Sequence, residues 1–245
     1  MKVSITRALN YFDIGMDYRI TLGALFRVLQ EASGRHSDDA ENAMTATGKR
    51  WILHRIAAQI DRLPMYAETV TATTWHRFSR GFKAYREYEL YAGDERVAAA
   101  TTIWLYYDLD AGRLRKVPKD TGEKYGVVDE CATDFDLEAW KPENDIASQY
   151  TTLITTRPTD FDPLNHVNNA VYFDYLLALL YRNGFDPGKI RTVSMQYDRQ
   201  IGKDVASLEA ACETKSAADG DAGIFKMYND GTVFATGEWT ERSAS

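Results

Sequence analysis

Several features that would assign a protein class at once are scarce in this sequence of 245 residues. Its only two cysteines, Cys131 and Cys212, cannot make a disulfide framework, which predicts reduced thiols and a cytoplasmic location. No uninterrupted apolar run reaches the roughly 18 residues that a bilayer span requires. The first residues also lack the apolar stretch of a signal peptide. We therefore predict a protein without a membrane partner.

Positive charge is in deficit as well. Lysine and arginine number 29 against 36 aspartates and glutamates, so the formal net charge is -7. A nucleic-acid-binding protein shows a basic footprint, and we therefore predict no nucleic-acid partner. The four histidines are scattered and lack a metal-ligand spacing such as His-Glu-x-x-His, so we predict neither a metal nor another cofactor.

The order of secondary-structure signals repeats once along the chain. A helix is predicted to begin at Thr21, because the apolar residues after it recur at intervals of three and four. Segments rich in β-branched and aromatic residues follow at 51–60, 68–75, 82–91 and 96–107, and these are typical of strands. The second half has a strand at 150–157, a helix, and strands at 191–197, 205–213, 223–228 and 233–239. This repetition predicts a duplicated α+β unit with antiparallel sheets.

A connector separates the two halves. Residues 108–147 contain several prolines and glycines and show weak periodicity, which is long for a loop inside a compact domain. We predict that this region contains a short helix of its own and joins two domains. The predicted boundaries are 1–125 for the first domain, 126–147 for the linker and 148–245 for the second domain.

A polar cluster containing Asp162, Asn165 and His166 stands directly before the apolar helix of the second half. That helix has almost no polar face, which predicts that it is buried. A helix N-terminus offers free N–H groups and the positive end of the helix dipole, so it favours developing negative charge. We predict that backbone N–H groups near Val167 and Asn168 stabilise an oxyanion there.

The cluster also carries a family resemblance. The pattern Asp162-x-x-x-His166-Val-Asn-Asn-x-x-Tyr172 resembles the active-site signature of hot-dog-fold thioesterases, and a degenerate first copy is similar to the acyl-acyl-carrier-protein thioesterases. Supporting matches are Leu29-Gln-Glu-Ala32, Arg50-Trp-Ile52, Glu68-Thr-Val70, Thr74-Trp-His-Arg77 and Ala84-Tyr-Arg86. The resemblance extends from about Tyr18 to Glu241 and so covers most of the chain.

The resemblance implies a double hot-dog fold, in which two tandem antiparallel sheets each wrap a long central helix. It implies that residues 1–125 bind the acyl chain and that residues 148–245 are catalytic. The implied reaction is hydrolysis of fatty acyl thioesters of acyl carrier protein, which releases free fatty acid and ends chain elongation. The implied partner is an acyl carrier protein carrying a fatty acyl chain, and a homodimer is left open.

The same resemblance suggests roles for individual residues. Asp162 is the best candidate for the base, with Asp160 as its rival, and His166 is expected to orient the thioester carbonyl or the water. The family pattern places an asparagine two residues before the histidine. Here that position is Leu164, and the nearest amide is Asn165.

A second departure from the family pattern lies on a later strand. The catalytic acid of the family corresponds to Gln200, which can position water or substrate but cannot act as a base. Asp162 is then expected to act alone as the base, or to share the role with Asp198. The predicted catalytic set is Asp162, Asn165, His166 and Gln200.

Other functions share parts of this pattern. The same fold could hydrolyse coenzyme-A thioesters. The segment Asp160-Phe-Asp-Pro-Leu-Asn-His166 also faintly echoes the hydratase pattern Asp-x-Asn-Pro-Leu-His, although the Val-Asn-Asn that follows is typical of thioesterases. Leu164 and Gln200 are compatible with a non-catalytic acyl-binding protein. Finally, residues 76–86 contain four cations and no acid, which predicts either a docking surface for an acidic carrier protein or a solvated strand edge.

Overall fold

The computed structural model describes residues 1–41, 48–217 and 220–242. The chain divides into two compact units. The first comprises Met1–Ile20 and Arg27–Ala139, and the second comprises Thr21–Phe26 and Trp140–Ser245.

The first unit is built on an antiparallel sheet. Its strands are β1 (Lys2–Ala8), β2 (Lys49–Ile60), β3 (Thr69–Arg80), β4 (Lys83–Ala92), β5 (Glu95–Asp108) and the short β6 (Arg113–Leu114). The strand order is β1-β3-β4-β5-β2, with β6 paired to β5. Two helices lie between strands in the sequence, α1 (Leu22–Glu41) and α2 (Thr121–Tyr125). Helix α1 begins directly after Thr21, as predicted. The hydroxyl of Thr21 accepts a hydrogen bond from the N–H of Ala24 at 3.2 Å and so caps the helix.

The second unit repeats this topology. Its elements are β7 (Tyr150–Thr155), α3 (Val171–Arg182), β8 (Ile190–Tyr197), β9 (Ser207–Ala217), β10 (Gly220–Asn229) and β11 (Thr232–Glu241). The strand order is β7-β9-β10-β11-β8, which is the order of the first unit with each strand replaced by its later counterpart. The predicted duplication and the α+β class with antiparallel sheets are therefore confirmed.

Helix α3 is buried over most of its surface, as its composition predicted. Seven of its residues are buried: Val171, Tyr172, Phe173, Tyr175, Leu176, Leu179 and Leu180. The burial is not complete around the helix, since the side chain of Tyr181 is 56% exposed. The helix ends at Arg182, and Gly184 follows with a φ of 82°, a left-handed conformation that glycine adopts without strain. At 12 residues α3 is shorter than the 20 residues of α1, and the wrapping of each sheet around a long helix stays a prediction.

Part of the expected linker packs onto the first sheet. The indole N–H of Trp75 donates to the carbonyl of Glu130 at 3.0 Å, and the N–H of Ala132 donates to the carboxylate of Glu87 at 3.1 Å. Glu87 is itself buried, and this burial raises the pKa of its carboxyl group. Residues as far as Ala139 therefore belong to the first compact unit, whereas the sequence predicted a linker over 126–147. The short helix predicted within the connector at 108–147 is α2, which ends just before the expected linker.

Candidate active site

The polar cluster of the second unit lies in a tight loop directly before α3. The N–H of Asp162 donates to the carbonyl of His166 at 2.8 Å, and the N–H of Asn165 donates back to the carbonyl of Asp162 at 2.9 Å. Phe161 and Val167 form an antiparallel bridge at the base of the loop. These backbone contacts hold Asp162 and His166 opposite each other, so their side chains project from the same side of the loop.

The carboxylate of Asp162 has two structural contacts and one available oxygen. Its Oδ1 accepts hydrogen bonds from the N–H groups of Leu164 at 2.8 Å and His166 at 3.2 Å. Its Oδ2 makes no hydrogen bond to any residue within the described ranges. Burial, and to a smaller extent the charge of Asp162, raises the pKa of Tyr172, which places that charge close to the tyrosine. Asp162 therefore closes the loop and still offers an oxygen to a water molecule.

His166 carries an unsatisfied polar atom. Its Nδ1 is buried and has no hydrogen-bond partner in the part of the chain that the structure describes. Such an atom costs about 1–3 kcal/mol of folding free energy, and buried unsatisfied groups call for a functional or solvent explanation. A substrate or a bound water molecule would supply the missing partner.

The segment that carries Gln200 lies against this loop. The N–H of Val167 donates to the carbonyl of Ile201 at 2.9 Å, and His166 forms an antiparallel bridge with Gly202. Gln200 lies two residues before Gly202, the bridge partner of His166. Gln200 is exposed. The backbone register therefore brings together the two segments that carry the four predicted catalytic residues.

The predicted oxyanion donors are wrong. The N–H of Val167 is taken by the carbonyl of Ile201, and the N–H of Asn168 donates to the carbonyl of Asp160 at 2.8 Å. Neither group is available to a substrate. The N–H of Asn169, the next residue, has no acceptor among the described residues.

Asp160, the rival base, is an anchor of the fold. Its side chain is 1% exposed, and its two oxygens accept hydrogen bonds from the N–H and the guanidinium of Arg157 at 2.8–3.0 Å. The hydroxyl of Tyr175 donates to it at 2.8 Å. The hydrogen bond to Asp160 raises the pKa of Arg157. Both oxygens of this buried carboxylate are therefore engaged within the fold, and neither is directed at a substrate.

Asn165 and Asp198 both have structural roles that the sequence did not show. Asn165 is exposed and has a φ of 63°, a left-handed conformation that asparagine tolerates better than most residues. The carboxylate of Asp198 accepts hydrogen bonds from Gln196 at 2.6 Å and Thr236 at 3.1 Å. Asp198 is therefore engaged away from the loop, which leaves Asp162 as the candidate base. A role of the Asn165 amide in catalysis stays a prediction.

Two tyrosines near the loop make contacts that the sequence did not predict. The hydroxyl of Tyr197 donates to the carbonyl of Asn169 at 2.9 Å, and the rings of Tyr172 and Tyr197 lie 5.0 Å apart in an edge-to-face arrangement. Tyr172 was visible in the sequence only as the last position of the signature. Burial raises the pKa of both hydroxyl groups, so both remain neutral at physiological pH.

The first unit contains the same loop without the same chemistry. The N–H of Gly15 donates to the carbonyl of Arg19 at 2.8 Å, and the N–H of Tyr18 donates to the carbonyl of Gly15 at 3.1 Å. Tyr18 has a φ of 61°, close to that of its counterpart Asn165. Aligned by these contacts, Gly15 stands where Asp162 stands, and Arg19 stands where His166 stands. The first loop therefore has no imidazole, and its carboxylate, Asp17, lies two residues after the position of Asp162, where it accepts from the N–H of Arg19 at 3.1 Å.

The cations of the basic segment are partly paired with acids and partly buried. Arg77 pairs with Asp129 at 3.2 Å, and Lys83 pairs with Glu138 at 2.8 Å. Arg86 is 6% exposed and donates to the Nδ1 of His36 at 3.0 Å. Acids of the connector thus neutralise part of the charge on which the docking hypothesis depended.

Other types of site were searched for in the same residues. Within 1–41, 48–217 and 220–242, no group of three or more histidine, cysteine, aspartate or glutamate side chains is placed to hold a metal ion. Over those ranges, no helix is both long and apolar enough to cross a membrane. Burial raises the pKa of the Cys212 thiol to about 12, which makes it a poor nucleophile at neutral pH.

The duplicated antiparallel topology, with one helix in each repeat, is that of a double hot-dog protein. Two family models match the chain, the acyl-ACP thioesterase N-terminal domain over residues 5–125 and the C-terminal domain over residues 143–240. The chain belongs to the acyl-ACP thioesterase family. A 12:0-ACP thioesterase from Umbellularia californica has the same fold, with a TM-score of 0.83 at 19% identity over 98% of this chain and 97% of the other. An acyl-ACP thioesterase from Bacteroides thetaiotaomicron gives a TM-score of 0.79 at 18% identity over 98% and 97%.

Curated relatives are plant proteins. A chloroplastic acyl-[acyl-carrier-protein] hydrolase of Cuphea viscosissima is 23% identical over 97% of this chain and 62% of its own length. A chloroplastic oleoyl-acyl carrier protein thioesterase of Coriandrum sativum is 25% identical over 88% of this chain and 63% of its own length. The chain thus spans less than two thirds of the length of these relatives.

Proposed function

We propose that this protein hydrolyses fatty acyl thioesters of acyl carrier protein, releasing free fatty acid and ending chain elongation. The observation that carries the proposal is the unsatisfied Nδ1 of His166, opposite the half-buried carboxylate of Asp162, in a loop whose counterpart in the first unit has no histidine. Membership of the acyl-ACP thioesterase family supports the same reaction class.

The proposed reaction uses one water molecule. Asp162 takes a proton from the water through its available oxygen, and the water oxygen attacks the thioester carbonyl carbon. His166 orients the water or the carbonyl, Gln200 positions one of them, and the N–H of Asn169 donates to the developing oxyanion. When the tetrahedral intermediate collapses, the carbon–sulfur bond breaks, and the departing sulfur receives the proton held by Asp162. The products are a fatty acid and the free thiol of the carrier.

The carrier protein is the proposed partner because the named relatives act on acyl-carrier thioesters. The ion pairs of Arg77 and Lys83 with connector acids remove part of the surface expected to attract an acidic carrier. This observation favours a second candidate substrate, an acyl thioester of coenzyme A, in which coenzyme A replaces the carrier protein as the thiol component. Cytoplasmic location, a homodimer and the division of labour between acyl binding and catalysis remain predictions.

A non-catalytic acyl-binding protein is the competing function, and the amide at position 200 is the observation in its favour. The test is release of free thiol from carrier-bound and coenzyme-A-bound acyl chains of matched length. We expect release from the carrier substrates with a kcat/KM at least about 10-fold above the coenzyme-A substrates, equivalent to about 1.4 kcal/mol of transition-state binding. Equal values of kcat/KM would mean that the protein accepts both acyl-carrier and coenzyme-A thioesters. No release from any chain length is the result expected of a non-catalytic binding protein.

A further inference from the structure

The hydroxyl of Tyr172 forms two hydrogen bonds on either side of Gln200. It accepts from the N–H of Ile201 at 3.2 Å and donates to the carbonyl of Arg199 at 3.4 Å. The side chain is 2% exposed and lies in the first turn of α3, a rigid element. One hydroxyl group therefore fixes the backbone immediately before and immediately after Gln200.

The hydroxyl of Tyr172 takes the place of a backbone carbonyl as the acceptor for the N–H of Ile201. The carbonyl of Ile201 accepts from the N–H of Val167, as in an antiparallel pair, but the N–H of Ile201 donates to Tyr172 rather than back to Val167. A buried N–H without an acceptor would cost about 1–3 kcal/mol, so the tyrosine hydroxyl stabilises this conformation of the segment. The same segment continues to Gly202, which faces His166.

Neither partner of this bond recurs at the corresponding positions of the first half of the chain. There the N–H of Ile20 donates to the carbonyl of Pro64 at 2.8 Å, as the N–H of Val167 donates to that of Ile201. Pro64 has no N–H, so nothing at this position requires an acceptor. The residue of α1 that corresponds to Tyr172 is Leu25, which is buried and has no hydroxyl.

The position of Gln200 follows the same pattern. The N–H groups of Asp198 and Arg199 both donate to the carbonyl of Phe234, and in the first unit two successive N–H groups likewise donate to one carbonyl, that of Val97. This correspondence places Leu63 where Gln200 stands. The backbone hydrogen bonds are thus the same in both segments. Gln200 and the hydroxyl of Tyr172 lie near the loop that contains Asp162 and His166, whereas their counterparts are the apolar Leu63 and Leu25.

We propose that Tyr172 is a positioning residue for the reaction, which acts by holding Gln200 at the side of His166. The inference rests on the proposed function, since it assigns to Gln200 a contact with the water or the thioester. Tyr172 itself touches neither. Its hydroxyl both accepts and donates, so it must remain protonated, and its raised pKa is consistent with this requirement.

The test combines Tyr172→Phe and Gln200→Ala in a double-mutant cycle on the rate of thiol release. Tyr172→Phe removes one oxygen and keeps the ring. We expect it to lower kcat by about 10-fold with KM changed by less than about 2-fold. In the Gln200→Ala background the same change should cost less than about 2-fold, because the residue being positioned is gone. Equal losses in both backgrounds would show a general structural role and overturn the inference, as would full activity of Gln200→Ala.

A second measurement does not depend on activity. Amide hydrogen exchange in Tyr172→Phe should become at least about 10-fold faster at Ile201 and should stay unchanged in β10. The matched control is Tyr175→Phe, which removes a hydroxyl from the same helix and breaks a bond to Asp160 instead. Unchanged exchange at Ile201 would overturn the inference. If the wild-type protein released no thiol while Tyr172→Phe showed the faster exchange, the proposed function would fail and the role of Tyr172 in holding the segment would stand.

Discussion

The dual role of Asp162 leads to a prediction that separates loop closure from catalysis. Asp162→Ala removes the acceptor of two N–H hydrogen bonds, at 2.8 and 3.2 Å. Hydrogen bonds to a charged group contribute about 1.5–3 kcal/mol each when buried, and water replaces part of that at this half-buried loop. We therefore expect Asp162→Ala to lower the free energy of unfolding by about 2 kcal/mol.

Asp162→Asn keeps an oxygen in the same place. Its amide oxygen can still accept from Leu164 and His166, so the free energy of unfolding should fall by no more than about 1 kcal/mol. An amide cannot take a proton from water, and a general base contributes about 100- to 10,000-fold to rate. We therefore expect kcat for thiol release to fall at least about 100-fold in Asp162→Asn.

The assays are urea unfolding and initial rates of thiol release on the two variants and the wild type. A stable Asp162→Asn protein with nearly full activity would refute the assignment of Asp162 as the base. Unchanged stability of Asp162→Ala would refute the loop contacts. Activity lost only in proportion to stability would mean that Asp162 closes the loop and has no part in catalysis.

Three further predictions follow from single residues. Asp160→Ala should lower the free energy of unfolding by about 2–3 kcal/mol in urea titrations, because it leaves the backbone N–H of Arg157 and the hydroxyl of Tyr175 without their acceptor; a loss under about 1 kcal/mol would contradict the anchor role. Asn165→Gly should retain thiol release within about 3-fold, since glycine adopts the left-handed conformation freely, and a larger loss would restore a catalytic role for the amide. Burial, Arg86 and His36 lower the pKa of His76 from 6.5 to about 4, so below pH 6.5 the unfolded chain binds a proton that the folded chain does not. Unfolding free energy should fall by about 2–3 kcal/mol from pH 7.5 to pH 4.5 on this account, and His76→Gln should remove that part of the slope; identical slopes would show that another group titrates.

Periodic features of the sequence predicted the fold well. Alternating and β-branched segments located the long strands, and the interval of three and four after Thr21 located α1. Both signals are local, so they survive without knowledge of the tertiary structure. The packing of the connector was not predicted, because it depends on contacts such as Ala132 with Glu87 that join residues far apart in sequence.

The site was predicted in outline and corrected in detail. The signature identified Asp162 and His166, but it could not show that the N–H groups of Val167 and Asn168 already have acceptors, since one of these acceptors comes from Ile201. The choice between Asp160 and Asp162 had a local signal, because Arg157 precedes Asp160 by three residues and can pair with it.

The proposed mechanism places the catalytic residues in the loop of the second unit and none in the loop of the first. The most direct test compares single-turnover thiol release from an acyl-carrier substrate by the wild type, His166→Ala and Arg19→Ala, the last of which changes the corresponding residue of the first loop. We expect His166→Ala to lose at least about 100-fold in rate and Arg19→Ala to stay within about 3-fold of the wild type. Comparable losses in both variants, or full activity of His166→Ala, would contradict it.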